Sequence, residues 1–191
     1  MSRLLQAHIN KFTAVSDEEF EEISQLFSRQ EVAKKENLLE EGQISHSYYF
    51  VLKGILRKFF INEKGVEQTT EFAIENWWMT DSFSYINQSP TEFYIQAVEA
   101  AEILVISRPS FEKLLDTHSA MEKYFRCVYQ KAYAATQMRI KYLYGFSRED
   151  LYHNFRRRQP EFMQRVPQYL IASYLGITPE YLSEIRRKDI S

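Results

Sequence analysis

Cysteine is almost missing: Cys127 stands alone in 191 residues. Neither an intramolecular disulfide framework nor a multi-cysteine metal site can therefore form, and a reducing, cytosolic compartment fits. Glycine and proline are scarce, with five of each, so where they fall carries information. No segment approaches the roughly 20 apolar residues of a membrane span. The opening MSRLLQAHINKF lacks the continuous apolar stretch of a signal peptide. A cytoplasmic protein with no membrane partner is expected. Excess charge is missing too: the formal net charge is −2, which excludes a globally basic nucleic-acid binder but leaves room for a local basic site. His8, His46, His118 and His153 show no metal-ligand spacing, and no nucleophile motif occurs. Neither a metal centre nor an enzyme is expected.

Aromatic residues are plentiful, with 14 Phe, 13 Tyr and 2 Trp, and side chains of that size need burial, which argues against disorder. The length allows one or two domains. Charge is uneven: residues 146–191 hold eight basic and six acidic side chains, or +2, which leaves −4 on the remainder. The sign is the one expected if the C-terminal part approaches phosphate.

Gly42, Gly54 and Gly65 punctuate a region rich in β-branched and aromatic residues. Residues 47–52 (SYYFVL) read as a buried strand ended by Lys53-Gly54, and 55–61 (ILRKFFI) as the returning strand. NEKG at 62–65 supplies a hairpin turn, because Asn and Gly tolerate positive φ. Strands are also expected at 66–74, 93–98 and 102–107, with a turn at Glu75-Asn76. Short strands at this spacing predict an antiparallel barrel or jelly roll.

Helices flank the strands. Ser16 is placed as an N-cap, with Glu19 three residues on and Phe20, Ile23, Leu26 and Phe27 at helical spacing. Pro109 introduces a helix over 110–116. Residues 119–144 contain no Gly or Pro, and Met121, Phe125, Val128, Ala132 and Ala135 recur with a 3.5-residue period. That seam fits a dimer interface or a helix packed on its own barrel, and periodicity does not choose between them. Gly145 is expected to end the helix in αL geometry and Ser147 to cap the next, which puts a domain boundary near Gly145.

The most specific stretch is QYLIASYLGITPEYLSEIRRK at 168–188. Ile171, Leu175, Ile177, Leu182 and Ile185 supply apolar points for two short helices. Ala172 leaves room where they cross, Gly176 permits a sharp turn, Thr178 caps the second helix and Pro179 sits in its first turn. Together these predict a helix-turn-helix. If its second helix enters a major groove, Thr178, Glu180, Tyr181, Ser183, Glu184 and Arg187 face base edges. Glu180 would accept from a cytosine amino group and Arg187 would pair with guanine. Arg186, Lys188 and Gln168 are candidates for phosphate, and the run at 156–158 (RRR) adds a second basic cluster.

With both halves placed, the chain from about Phe20 to Lys188 resembles the cyclic-AMP receptor / fumarate-nitrate regulator (Crp/Fnr) family of transcription regulators. EEGQ around Gly42, YYFVLKG, NEKG, EILVISRPSFEKLL, the long helix and IASYLGITPEYLS carry the likeness. The resemblance implies an α+β chain. Its expected parts are a cyclic-nucleotide-binding-type β jelly roll at 1–117, a dimerisation helix at 118–145, and a helix-turn-helix DNA-binding domain at 146–191. It favours a homodimer on a two-fold site in double-stranded DNA, with RNA polymerase as a further candidate partner. Nucleotide-binding members pair a Gly-Glu with an Arg about ten residues on. Here Thr80 and Asp81 fall at the Gly-Glu positions, and Thr91 and Glu92 fall at the Arg position and the next. A neutral residue in place of a cation, beside an acid, would repel a buried phosphate, so no cyclic nucleotide is expected. Phe72, Thr80, Asp81, Ser82, Thr91 and Glu92 remain the candidate effector pocket, and Phe72, Trp77, Trp78, Phe83 and Tyr85 could line it for an apolar ligand. Iron–sulfur sensing would need more cysteines. The winged-helix-like unit is expected to be truncated, since the sequence stops at Ser191 just after the recognition helix. A ligand-binding module that has lost DNA binding is the alternative.

Overall fold

The computed structural model describes residues 3–189. Its N-terminal half is built by short strands between turn residues. Two helices lead in, α1 (Arg3–Ile9) and α2 (Asp17–Ser24), and they bury Leu5, Ile9, Phe20 and Ile23. Ser16 caps α2 as expected, its hydroxyl accepting from the Glu19 amide at 3.2 Å. Five strands follow, β1 (Ser28–Val32), β2 (Asn37–Leu39), β3 (Ser47–Lys53), β4 (Leu56–Ile61) and β5 (Glu67–Ala73). Then come β6 (Trp78–Met79), α3 (Ser82–Asn87), β7 (Tyr94–Ala97) and β8 (Ala101–Ser107). They form two four-stranded sheets, ordered β1-β8-β3-β6 and β2-β7-β4-β5. Such a pair of sheets is the expected jelly roll.

The turns obey the glycine and asparagine signals. Asn76 and Gly65 adopt positive φ, and the Gly65 amide bonds the Asn62 carbonyl at 2.8 Å. Gly54 is needed twice over: its φ is +93°, and a Cβ there would lie 2.8 Å from the Ala100 carbonyl oxygen. Sequence reading missed α1, α3, β1, β2 and β6, all too short to show a period.

Beyond β8 the chain is helical among the described residues: α4 (Arg108–Thr117), α5 (Ser119–Gly145), α6 (Arg148–Arg158), α7 (Pro160–Arg165), α8 (Gln168–Leu175) and α9 (Pro179–Lys188). Ser147 caps α6, accepting from the Asp150 amide. Gly145 does not take the expected αL conformation. It stays helical because the next amide, Phe146, still bonds the Tyr142 carbonyl at 3.2 Å, and positive φ among the described glycines is confined to Gly42, Gly54, Gly65 and Gly176. No described helix is long and apolar enough to cross a membrane.

Two compact units emerge. The first runs to Phe60 and resumes over Glu71–Gln130; the second takes Ile61–Thr70 and the chain from Lys131 onward. The division thus falls inside α5, upstream of the boundary expected at Gly145, and the tip of the β4–β5 hairpin goes with the helices. In the first unit, Phe50, Leu104, Ile106, Trp78, Tyr124 and Phe125 are buried together with α1 and α2 side chains. A second cluster, with Val51, Leu56, Met79, Ile95 and Ile103, is also buried.

Candidate nucleic-acid interface and sensor cassette

In the second unit, α8 and α9 are joined by a turn of the predicted kind. Gly176 adopts φ +68°, and the Ile177 amide reaches back to the Ala172 carbonyl at 3.0 Å. Thr178 caps α9 by accepting from the Tyr181 amide at 3.2 Å, with Pro179 in the first turn. Ile171, Ala172, Leu175, Leu182 and Ile185 are buried, so the apolar stripe on each helix holds the pair together.

That burial leaves one face of α9 outside. Thr178, Glu180, Ser183, Glu184, Arg186, Arg187 and Lys188 are exposed, and Tyr181 is half-buried. The basic tip is partly neutralised within its own unit. Lys188 pairs with Glu149 at 3.1 Å and Glu184 at 3.5 Å, and Arg156 pairs with Asp189 at 2.7 Å. Gln168, the candidate phosphate ligand on α8, is half-buried, and its side-chain oxygen has no hydrogen-bond partner among the described residues.

The C-terminal carbonyls of α8 need partners, as at any helix end. Gly176 and Ile177 amides take those of Ser173 and Ala172. Arginines take the next two. Arg139 of α5 donates to the Tyr174 carbonyl at 2.9 Å, and Arg148 of α6 donates to that of Leu175 at 3.4 Å. A cation at a helix C-terminus also meets the negative end of its dipole. Neither arginine was singled out from sequence, since nothing local distinguishes them from surface cations.

In the first unit, the cassette positions form a closed polar cluster. Thr80, Asp81 and Thr91 are buried, with Ser45 and Ser84. The Thr91 hydroxyl donates to the Asp81 carboxylate at 2.5 Å, and the other Asp81 oxygen caps α3 by accepting from the Phe83 amide at 3.2 Å. Thr91 also accepts from the Phe93 amide at 3.0 Å. Thr80 donates to the Ser47 carbonyl at 2.8 Å, and the Ser84 hydroxyl accepts from the Ser45 amide at 2.9 Å. Lys58 reaches the Thr80 carbonyl at 3.2 Å and pairs with Glu71 at 2.8 Å. Sequence reading missed Ser45, Lys58, Glu71 and Ser84, which only tertiary folding brings here.

Several pocket assignments need correction. Glu92 and Ser82 are exposed, because the backbone that turns Thr91 inward turns its neighbour out, and Ser82 opens α3 on its solvent side. The acid at the cassette is thus Asp81 and not Glu92. Trp77 and Phe83 are exposed, at 45% and 71%, whereas Trp78 and Tyr85 belong to the apolar core. Those aromatics do not line one cavity, and Phe72 is half-buried on β5.

The proposed seam on α5 also divides. Met121 and Phe125 are buried in the core of their own unit, and Val128 packs against it, so none of them forms a face for a partner. The first turns of α5 lie on the barrel, which claims that stripe. Ala132 and Ala135 are exposed, as are Tyr129, Tyr133, Ile140 and Tyr144. The free apolar stripe is therefore offset by one residue from the expected one.

Residues 29–118 match the cyclic nucleotide-binding domain family. Among solved structures, FixK2 from Bradyrhizobium japonicum is similar, with a TM-score of 0.72 and 16% identity over 85% of this chain and 83% of that one. A transcriptional regulator described as Crp/Fnr-family, from Eubacterium rectale, has a TM-score of 0.71 and 15% identity, covering 91% and 83%. A CooA variant from Carboxydothermus hydrogenoformans has 0.68 and 19%, covering 98% and 84%. Curated protein sequences contain no match. Residues 29–118 are thus similar to cyclic nucleotide-binding domains, and the fold of the chain is similar to that of these solved structures.

Proposed function

We propose that the chain is a homodimeric, DNA-binding transcription regulator whose sensor cassette does not take a cyclic nucleotide. The observation that carries this reading is α9. It is capped by Thr178, fixed by the αL turn at Gly176, and presents polar and charged side chains along its whole outer face. A helix of that kind suits a major groove, where Arg187 would read guanine and Glu180 cytosine, while Arg186 and Gln168 meet phosphates.

Dimerisation is supported by α5. Every residue from 130 to 138 is exposed in the single chain. A bare helical segment gains its stability from packing, and a second copy of the same stripe would supply it. Exclusion of cyclic nucleotides is supported by the cassette, where a buried carboxylate and a hydroxyl satisfy each other in place of a cation.

The test is a gel shift with the full chain on duplex from upstream regions, across a salt series. Binding to a two-fold site should be steeply salt-dependent. Arg187→Ala should cost about 1–3 kcal/mol and relax specificity, and Arg186→Ala should weaken all sequences alike. The acids Glu149, Glu184 and Asp189 around the basic tip favour the rival reading, a ligand-binding module without DNA binding. Binding no better than to scrambled duplex at low salt would establish that rival.

A further inference from the structure

Strand β5 is the last strand of its sheet, so among the described residues one of its edges has no neighbouring strand. Amide and carbonyl groups on such an edge need other partners when buried. Residues 67–69 belong to the second unit and find their partners within it. The Ser173 hydroxyl of α8 donates to the Glu67 carbonyl at 2.7 Å and accepts from the Thr69 amide at 2.9 Å. One side chain thus makes both bonds that a neighbouring strand would have made. Thr69 is only 2% exposed, so water is no substitute.

Arg139 of α5 completes the joint. Its Nη2 donates to the Tyr174 carbonyl at 2.9 Å and to the Thr69 carbonyl at 3.4 Å, and its guanidinium lies 3.7 Å from the centre of the Tyr174 ring. The long helix, the strand edge and the first helix of the helix-turn-helix therefore meet at two side chains. The joint engages the end of α8 next to Gly176, not its exposed face or that of α9.

We propose that Arg139 and Ser173 are positioning residues that lock the helix-turn-helix to α5 and so fix the half-site spacing the protein accepts. The assignment rests on the dimeric, DNA-binding reading above. In a dimer joined through α5, the distance between the two copies of α9 is set by how rigidly each helix-turn-helix is held to that helix. Neither residue touches a base or phosphate in this role. Loosening the joint leaves the reading of a single half-site intact and removes the penalty on wrong spacing.

The test uses half-sites selected by the full-length chain from random duplex, then rebuilt as palindromes with centres about 10 base pairs apart, and a few more or fewer. The native protein should prefer one spacing by about tenfold or more, because both helices engage together only when geometry permits. Ser173→Ala and Arg139→Ala should flatten that preference to about threefold or less while leaving single half-site affinity unchanged. Ser173→Thr, which keeps the hydroxyl, should restore it. Should Arg139→Ala fail to fold, Arg139→Lys keeps the charge, loses the planar group over Tyr174, and should flatten the profile in the same way. A spacing profile unchanged in the folded variants would overturn the assignment alone. Failure of the native protein to select any sequence would overturn the regulator reading and this assignment with it.

Discussion

Replacing Asp81 by alanine perturbs the cassette at its centre, and the structure allows the cost to be worked out. The carboxylate caps α3 at the Phe83 amide and accepts the Thr91 hydroxyl at 2.5 Å, with both residues buried. Losing an N-cap costs about 0.5–2 kcal/mol. Losing a hydrogen bond to a charged group costs about 1.5–3 kcal/mol. Thr91 still accepts from the Phe93 amide, so its oxygen is not stranded; its proton is. Asp81→Ala should therefore destabilise the first unit by roughly 2–5 kcal/mol. Thr91→Val removes the donor to Asp81 and the acceptor of the Phe93 amide, at about 1–3 kcal/mol for each group left unpaired. The double variant removes both orphans together. It should be more stable than the sum of the singles predicts by about 1–3 kcal/mol. Urea unfolding of the four proteins, followed by tryptophan fluorescence, measures this, since Trp78 lies in the core of the same unit. Additivity within about 0.3 kcal/mol would refute the claim that these two side chains close the site on each other.

Three further outcomes are expected. Titrating cyclic AMP or cyclic GMP by calorimetry should give no saturable heat, because a phosphate about 4 Å from the Asp81 carboxylate would meet repulsion of about 4 kcal/mol at an effective dielectric of 20. Micromolar binding would overturn that. On the homodimer reading, Tyr133→Glu together with Ile140→Glu should give a monomer in light scattering where the native chain gives a dimer, whereas Met121→Ala should cost about 2–5 kcal/mol of stability and leave association unchanged. Burial raises Tyr48, Tyr124 and Tyr85, the last to about 12 with Tyr129 adding to it, from an ordinary value of 10.0. A raised phenol favours the folded state fully below the ordinary value, and that contribution is lost as pH rises through the folded one. Thermal midpoints should thus hold to pH 10 and fall toward 12, with phenolate absorbance lagging until the fold opens. Ionisation of every tyrosine at its ordinary value in still-folded protein would contradict the burial argument.

What the sequence announced was local. Gly176, Thr178 and Pro179 define a turn and a cap within four residues, and the chain needs no distant partner to honour them. The same holds for NEKG, for Ser16 and for Ser147. Where the outcome depended on packing, the pattern misled. The seam on α5 keeps its period from Met121 to Ala135, yet the barrel takes its first half and leaves a neighbouring stripe to solvent. Periodicity reports that a face is apolar and not what covers it. Glu92 shows a similar slip, being next to a buried residue in sequence but on the opposite side of the backbone. Polar partners far apart in the chain were not legible at all: Ser45 and Ser84 are 39 residues apart, and Thr69 and Ser173 are 104 apart. Serine and threonine are ordinary surface residues until a fold buries them.

That last class of contact bears on function more than the legible one. A site that takes a charged ligand needs polar groups that can exchange water for the ligand. In this cassette Thr80, Asp81, Ser84 and Thr91 have already spent theirs on the protein itself. On the proposed reading, a cyclic phosphate would have to displace the Thr91 hydroxyl from Asp81 and then sit against the freed carboxylate, which opposes its entry. The helix-turn-helix differs: α9 buries Leu182 and Ile185 and leaves Glu180, Glu184, Arg186 and Arg187 exposed, with Lys188 paired to Glu149. On the proposed reading, a duplex bonds to the exposed Glu180 and Arg186 of α9, whereas the cassette stays closed by the bond between Thr91 and Asp81.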